Sequence, residues 1–227
     1  MNWILAFFSS SIGKKIIVSL TGIFLILFLA IHLAGNLQLL INDQGETFNL
    51  YAKFMSTHPL IKTISYGLYF FIVLHALMGI TIYIANRKAK GSNYKHQTKA
   101  NAGFAAKSMA LLGILILAFL FIHMGDFWFK MKTDQLPYVN YNGTLVKDLY
   151  YQITVTFSQP VFVVFYLIGL SALGLHLWHG FESAFQTLGI NHKQYTPMIR
   201  LLGRIYSILI PIAFAIIPVY FYFQMNK

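Results

Sequence analysis

Five stretches of this chain, near residues 16–41, 64–86, 107–129, 158–185 and 204–225, are apolar over more than the roughly 20 residues that a helix needs to cross about 30 Å of hydrocarbon. Backbone N–H and C=O groups find no water there, so each stretch must satisfy them internally as a helix. The rest of the composition agrees. Hydrophobic residues make up 57% of the 227 residues and charged ones 10%, where a soluble domain carries about 25% charged residues. The sequence therefore predicts an all-α integral membrane protein with five transmembrane helices, a single membrane domain over residues 1–227. Pro211 and Pro218 are expected to kink the fifth span. The opening MNWILAFFSSSIGKK reads as an interfacial segment rather than a signal peptide, because its basic pair follows the apolar stretch.

The charges orient these spans. Lys14, Lys15, Arg87, Lys88, Lys90, Lys95, Lys99, Lys107, Lys193, Arg200 and Arg204 fall on one side of a five-span chain, with almost no acid beside them. The other side holds the remaining basic residues together with Asp43, Glu46, Asp126, Asp134 and Asp148. By the positive-inside rule the N-terminus and the loops at 87–106 and 186–203 are cytoplasmic. A net charge of +11 would otherwise suggest nucleic acid, but orientation accounts for it and no nucleic-acid partner is expected. The basic face can also dock a soluble partner.

With no cysteine in the chain, disulfides, thiolate-bound iron–sulfur clusters and covalently attached c-type haem are excluded within it. Histidine is the remaining good ligand for a soft metal, and four histidines lie inside spans in a repeated pattern. The first span reads GIFLILFLAIH from Gly22 to His32 and the third reads GILILAFLFIH from Gly113 to His123, each Gly ten residues before its His. The second and fourth spans share Leu-His-x-x-x-Gly, around His75 with Gly79 and around His176 with Gly180. A residue four positions along lies on the same helix face, so a glycine there lets a flat group approach the backbone beside the histidine. His179 has no counterpart in the second span, where Met78 stands.

Helical rise puts His32 and His123 roughly 22–25 Å from the cytoplasmic ends of their spans, and His75 and His176 roughly 14–17 Å from theirs. Two histidines facing each other at one depth are what a haem with two axial imidazoles requires, and two such haems form an electron path across the membrane. Three other readings stand beside this one. A lone intramembrane histidine is often a helix–helix hydrogen bond or a proton-relay member. The His176–His179 pair, with Glu182 nearby, can seed a zinc or copper site. A haem-free transporter or assembly protein with buried histidines is the alternative from a different class. His58 reads as interfacial, His96 and His192 as solvated loop residues, and Trp3, Trp128 and Trp178 as interface or packing residues.

On these residues the chain resembles the membrane-anchor cytochrome b subunit of succinate:quinone oxidoreductases, in the form with one polypeptide, five spans and two b haems. The strongest parts are SLTGIFLILFLAIHLAGNL (19–37), the second span with His75 running into NRKAKGSNYKHQ (86–97), and LHLWHGFESAFQTLGI (175–190). The resemblance implies that four of the helices form a haem-binding bundle. It implies His32 and His123 as ligands of a distal haem and His75 and His176 as ligands of a proximal one, with His179 outside the ligand set. Ser19, Thr21 and Gly22 match the family's first-span motif, and Ser19 becomes a candidate for contact with a propionate; Gly22, Gly79, Gly113 and Gly180 join the haem-lining set.

The resemblance further implies a cytoplasmic (inner) membrane location, a flavoprotein subunit and an iron–sulfur subunit on the cytoplasmic face, and a quinone, menaquinone first, as substrate. It leaves dimerisation of the complex open and puts no succinate chemistry in this chain. A quinone pocket is expected near the outer haem, between the ends of the first three spans and the 42–63 loop. Some members carry a carboxylate two residues before the fourth-span ligand; here that residue is Gly174, so proton movement by that route is not expected. Another dihaem b-type quinone-linked anchor is the nearest alternative.

Overall fold

The structure is a computed structural model and describes residues 3–90 and 104–226. A short helix, α1 (Trp3–Ser9), exposes Trp3, Leu5, Phe7 and Phe8 and gives way at Ser10 to α2 (Ser11–Asn36). The Ser10 hydroxyl accepts the Gly13 N–H at 2.9 Å, which satisfies one of the donors a helix start leaves free. A 3-10 turn (Leu37–Leu40) leads to α3 (Glu46–Thr57) and then to α4 (Pro59–Lys90). Next comes α5 (Phe104–His123), which passes into a π-helical stretch, Met124–Phe129, and a final turn, α6 (Lys130–Lys132). A hairpin, β1 (Tyr138–Tyr141) and β2 (Thr144–Lys147), precedes α7 (Leu149–Phe157), α8 (Pro160–Thr187) and α9 (Thr196–Met225).

Among the described residues five helices are long and apolar enough to span a membrane: Ser11–Leu40, Pro59–Lys88, Ser108–Lys132, Pro160–Thr187 and Thr196–Met225. The chain is thus an all-α, multi-pass membrane protein by length and composition. The second and fifth spans begin earlier than hydropathy alone suggests. Pro59 opens α4, and α9 carries Pro197 in its first turn; proline is pre-shaped for a first turn, whose N–H groups have no partner in the helix. The α9 helix continues unbroken through Pro211 and Pro218, both buried. Lys95, His96 and Lys99 lie outside the described residues.

Packing runs α4 against α2, α2 against α8, α8 against α5, and α5 only lightly against α4, while α9 lies along α8. This order closes a four-helix ring in which α2 stands diagonally across from α5, and α4 across from α8. The Tyr206 hydroxyl on α9 donates to the Ile26 carbonyl on α2. At Gly169 of α8 an added Cβ would sit 2.5 Å from the Phe119 ring of α5, so the absence of a side chain there is what lets those helices meet.

Away from the N-terminal face the ring is capped by α3, the hairpin and α7. A buried cluster that includes Phe48, Phe119, Phe157, Tyr166 and Phe221 joins cap to bundle. Buried Asn49 is the polar hub. Its Nδ2 donates to the Tyr141 hydroxyl (3.1 Å) and to Asp148 (2.9 Å), and its Oδ1 accepts the Tyr150 N–H (3.0 Å). The hairpin turn is Asn142-Gly143, at φ +50° and +87°, the left-handed pair that a two-residue turn between strands of this twist requires. At the hairpin base the Tyr138 hydroxyl donates to Asp134 (2.6 Å) and Lys147 pairs with it (2.9 Å), which together hold the Asp134 carboxyl below its ordinary range.

Replacing Asn49 with Ala strands half-buried partners in the cap, each at up to about 1–3 kcal/mol. Asn49→Ala is expected to lower the melting temperature in detergent and to open residues 42–58 to limited proteolysis; an unchanged melt with an unchanged digest would remove Asn49 as the hub.

Candidate functional site

The histidines of the four ring helices meet across the diagonals. His32 of α2 and His123 of α5 have ring centroids 5.8 Å apart at 86°. His75 of α4 and His176 of α8 are 6.3 Å apart at 69°. The structure therefore brings the four together as two separate pairs, the first nearer the capped face and the second nearer the N-terminal face.

These separations can be compared with what a shared metal needs. A metal–imidazole bond is about 2.0–2.1 Å. A five-membered ring with bonds of about 1.33 Å puts each atom roughly 1.1 Å from its centroid. Two imidazoles on opposite sides of one metal thus have centroids about 6.3 Å apart. The inner pair has that separation, and the outer pair is about half an ångström closer.

The hydrogen bonds these rings make run through Nδ1. His75 Nδ1 lies 3.0 Å from the Thr21 hydroxyl, His32 Nδ1 is 3.3 Å from Asn36 Nδ2, and His123 Nδ1 is 3.3 Å from the Tyr166 hydroxyl. His176 Nδ1 is buried and has no partner among the described residues. In two of the four rings, His75 and His123, Nδ1 thus faces a hydroxyl oxygen that can accept its hydrogen and leave Nε2 for a ligand, the usual division of labour in a metal-bound histidine; at His32 it faces the Asn36 amide, a donor.

The two pairs sit in different surroundings. Phe28 stacks on His32 (5.2 Å) and Phe119 on His123 (5.7 Å), with Phe214 5.6 Å from His32 and Phe127 5.5 Å from His123. Aromatic rings from α2, α5, the π turn and α9 thus wall the outer pair. In the inner pair His75 instead lies against small residues of α2. An added Cβ at Gly22 would approach His75 Cε1 to 3.3 Å, so Gly22 admits the His75 ring itself. Ser19 is buried on the same helix. A Cβ at Gly79 or Gly113 would meet nothing within 4 Å, and one at Gly180 only Met109 Cε at 3.9 Å. These three border room rather than a packed neighbour.

His179 is half-buried one turn beyond His176, near Glu182, which is held by the Arg200 guanidinium at 2.7 Å; Arg204 lies over the Trp178 ring at 5.5 Å. Among the described residues no three His, Asp or Glu side chains gather to hold a metal ion, so the His176–His179 pair lacks the further donors a zinc or copper site needs. Exposed His58 packs on Phe54 (5.3 Å) and exposed His192 on Tyr195 (5.1 Å), while Trp128 meets Tyr69 (5.6 Å).

Sequence reasoning missed two features near the outer pair. Tyr166, ten residues before His176 on α8, reaches across to His123. Asp126, in the π-helical stretch, accepts from Lys130, Thr156 and Gln152 (3.1 Å for the last) and so ties α5 to α7. A π turn has no hydropathy signature; a single acid at the edge of a span, with Lys130 four residues later, was the available clue. No family model, curated protein or solved structure matches the chain.

The contact at Gly22 gives a direct test. Gly22→Val overpacks α2 against the His75 ring and is expected to cost about 1–3 kcal/mol, read as a lower melting temperature in detergent. Gly67→Ala, on α4 where an added Cβ meets nothing within 4 Å, is expected to leave the melt unchanged or raise it. Equal effects at the two positions would mean that α2 and α4 do not meet at His75.

Proposed function

We propose that the chain is the cytochrome b membrane anchor of a succinate:quinone oxidoreductase, binding one b haem between His32 and His123 and a second between His75 and His176. The observation that carries this reading is the pair of cross-bundle imidazole contacts at 5.8 and 6.3 Å, each joining diagonal helices and each close to the spacing of two imidazoles on one metal. A b haem bound there would be held by His32 and His123, or by His75 and His176, and would supply one-electron transfer.

The chain's own residues orient the ligands and keep water away. Thr21, Asn36 and Tyr166 meet three of the four rings at Nδ1, and the aromatic wall around His32 and His123 excludes solvent from the outer pair. Gly22, Gly79, Gly113 and Gly180 keep side chains out of the space beside the ligands, and Ser19 is the hydroxyl nearest in sequence to Thr21 for a propionate. On this reading the N-terminus and the basic face, with Lys14, Lys15, Lys193, Arg200 and Arg204, lie in the cytoplasm of a cell whose inner membrane holds the chain. That face receives the iron–sulfur subunit, through which a flavoprotein subunit delivers electrons from succinate. Quinone, menaquinone first, reacts near the outer pair, on the side of the Asp126 network.

A reduced-minus-oxidised spectrum of the purified chain, with haem counted per polypeptide as the pyridine haemochrome, tests the reading. Two low-spin b haems are expected. His32→Ala or His123→Ala should each remove one haem, His75→Ala or His176→Ala the other, and His179→Ala neither. A folded chain without haem overturns the proposal in favour of a transporter or assembly protein. Two haems without a co-purifying flavoprotein and iron–sulfur subunit point to another dihaem quinone-linked anchor.

A further inference from the structure

The contact between Thr21 and His75 carries more than a helix–helix tie, because a hydroxyl has one hydrogen to give. Thr21 Oγ1 lies 2.7 Å from the Ile17 carbonyl and 3.1 Å from the Val18 carbonyl on its own helix. A backbone carbonyl can only accept, so the hydroxyl hydrogen is committed there, as threonine in a helix commonly commits it. The 3.0 Å approach of Oγ1 to His75 Nδ1 is then a hydrogen bond only if the ring nitrogen is the donor. A neutral imidazole with its hydrogen on Nδ1 has a lone pair on Nε2.

We propose that Thr21 is a positioning residue that accepts the Nδ1–H of His75 and so holds this ring as the tautomer whose Nε2 is free to bind a metal. The surroundings of the contact support the assignment. Thr21 is buried and His75 half-buried, and both lie within spans. Gly22, the next residue, is what lets the ring lie this close to α2. The inner pair is consequently unequal: His75 is held at Nδ1, whereas His176 Nδ1 is buried without a partner among the described residues. In the outer pair the hydrogen is not fixed in this way: Asn36 Nδ2, beside His32, is itself a donor, committed at 2.7 Å to the His32 carbonyl, and the Tyr166 hydroxyl, 3.3 Å from His123 Nδ1, has no second contact among the described residues that commits its hydrogen elsewhere.

The tautomer assignment stands on the contacts alone; its consequence for a haem rests on the function proposed above. An Nδ1–H that donates to an oxygen makes the imidazole a more basic ligand, which favours the ferric state. Removing the acceptor therefore raises the midpoint potential of the haem that His75 binds and leaves the other alone. The test is a redox titration of the full chain as wild type, Thr21→Val and Thr21→Ser, preceded by the haem count. With two haems present, Thr21→Val is expected to raise one potential only, and Thr21→Ser, which restores the hydroxyl, to return it to the wild-type value. Unchanged potentials in Thr21→Val overturn the role of Thr21 while the dihaem function stands.

If the wild-type chain carries no haem, the dihaem function fails and the tautomer is read directly. In the chain labelled with 15N-histidine, the His75 signal is assigned by its loss in His75→Ala. It is expected to show Nδ1 protonated, with the ratio of the two tautomers falling on the order of tenfold in Thr21→Val, about the worth of one net hydrogen bond. A wild-type His75 protonated on Nε2 overturns the proposal even if Thr21→Val does not fold.

Discussion

An imidazole placed in hydrocarbon must find a partner for its polar atoms or add several kcal/mol to the free energy of the fold, and four imidazoles on four helices impose that condition on the whole bundle. In lipid, burying apolar side chains adds little to helix association, because the surrounding tails are as apolar as the helices. What holds such helices together is close packing at small residues and polar contact between them. Both are present here. Gly169 lets Phe119 into α8 and Gly22 lets His75 onto α2, while Thr21, Tyr166 and Tyr206 supply bonds from one helix to the next. The histidine pairs add contact across the diagonals, where the ring helices do not otherwise pack side by side.

The two ends of the bundle solve the problem differently. Near the capped face the outer pair is surrounded by aromatic rings, and polar work is moved outward to Asp126, whose partners come from its own turn and from α7. The π-helical stretch makes this arrangement: one extra residue in the turn after His123 rotates the residues beyond it, so that Asp126 turns toward α7. Farther out, Asn49, Asp148 and Tyr141 knit α3, the hairpin and α7 into a lid with its own polar core. Toward the N-terminal face charged side chains, Arg200 with Glu182 and Arg204 over Trp178, meet the interface directly.

Much of the scaffold is legible in the sequence, because its strongest signal, the long apolar run, is also its strongest physical constraint. The five spans are readable on that ground, and hydropathy misplaces the starts of two, where Pro59 opens α4 and Pro197 sits in the first turn of α9, outside the apolar stretch. The cap escapes such a reading, although Asn142-Gly143 between two alternating stretches signals a hairpin. In a chain this apolar the short polar segments look like mere connections. For the site, helical rise separates the histidines into two depths, and the structure brings together residues of equal depth. Their partners are beyond reach. Thr21 stands in a motif that gives it no role, and Tyr166 lies 43 positions from His123; no periodicity connects residues so far apart.

The repeat explains why the pairs lie on diagonals at all. The first span corresponds to the third and the second to the fourth, with chain direction conserved, so the two halves are related by an axis along the membrane normal, as parallel repeats are. Such an axis exchanges α2 with α5 and α4 with α8. It therefore exchanges His32 with His123, and His75 with His176, and each pair must straddle the axis at its own depth. A half-bundle of two helices thus places two histidines at two levels, and its repetition completes both pairs without further design. What the repetition does not copy is the hydroxyl at Thr21. Thr21 precedes Gly22, and the residue that precedes Gly113 in the third span is Leu112, buried and without a polar atom in its side chain. The halves also differ in how closely the helices meet here, since a Cβ at Gly22 would lie 3.3 Å from the His75 ring whereas one at Gly113 would meet nothing within 4 Å. His75 is thus held against α2 by a hydroxyl and a glycine, whereas His176 Nδ1 has no partner among the described residues, and one anchored ring in the inner pair marks where the two halves of the repeat differ.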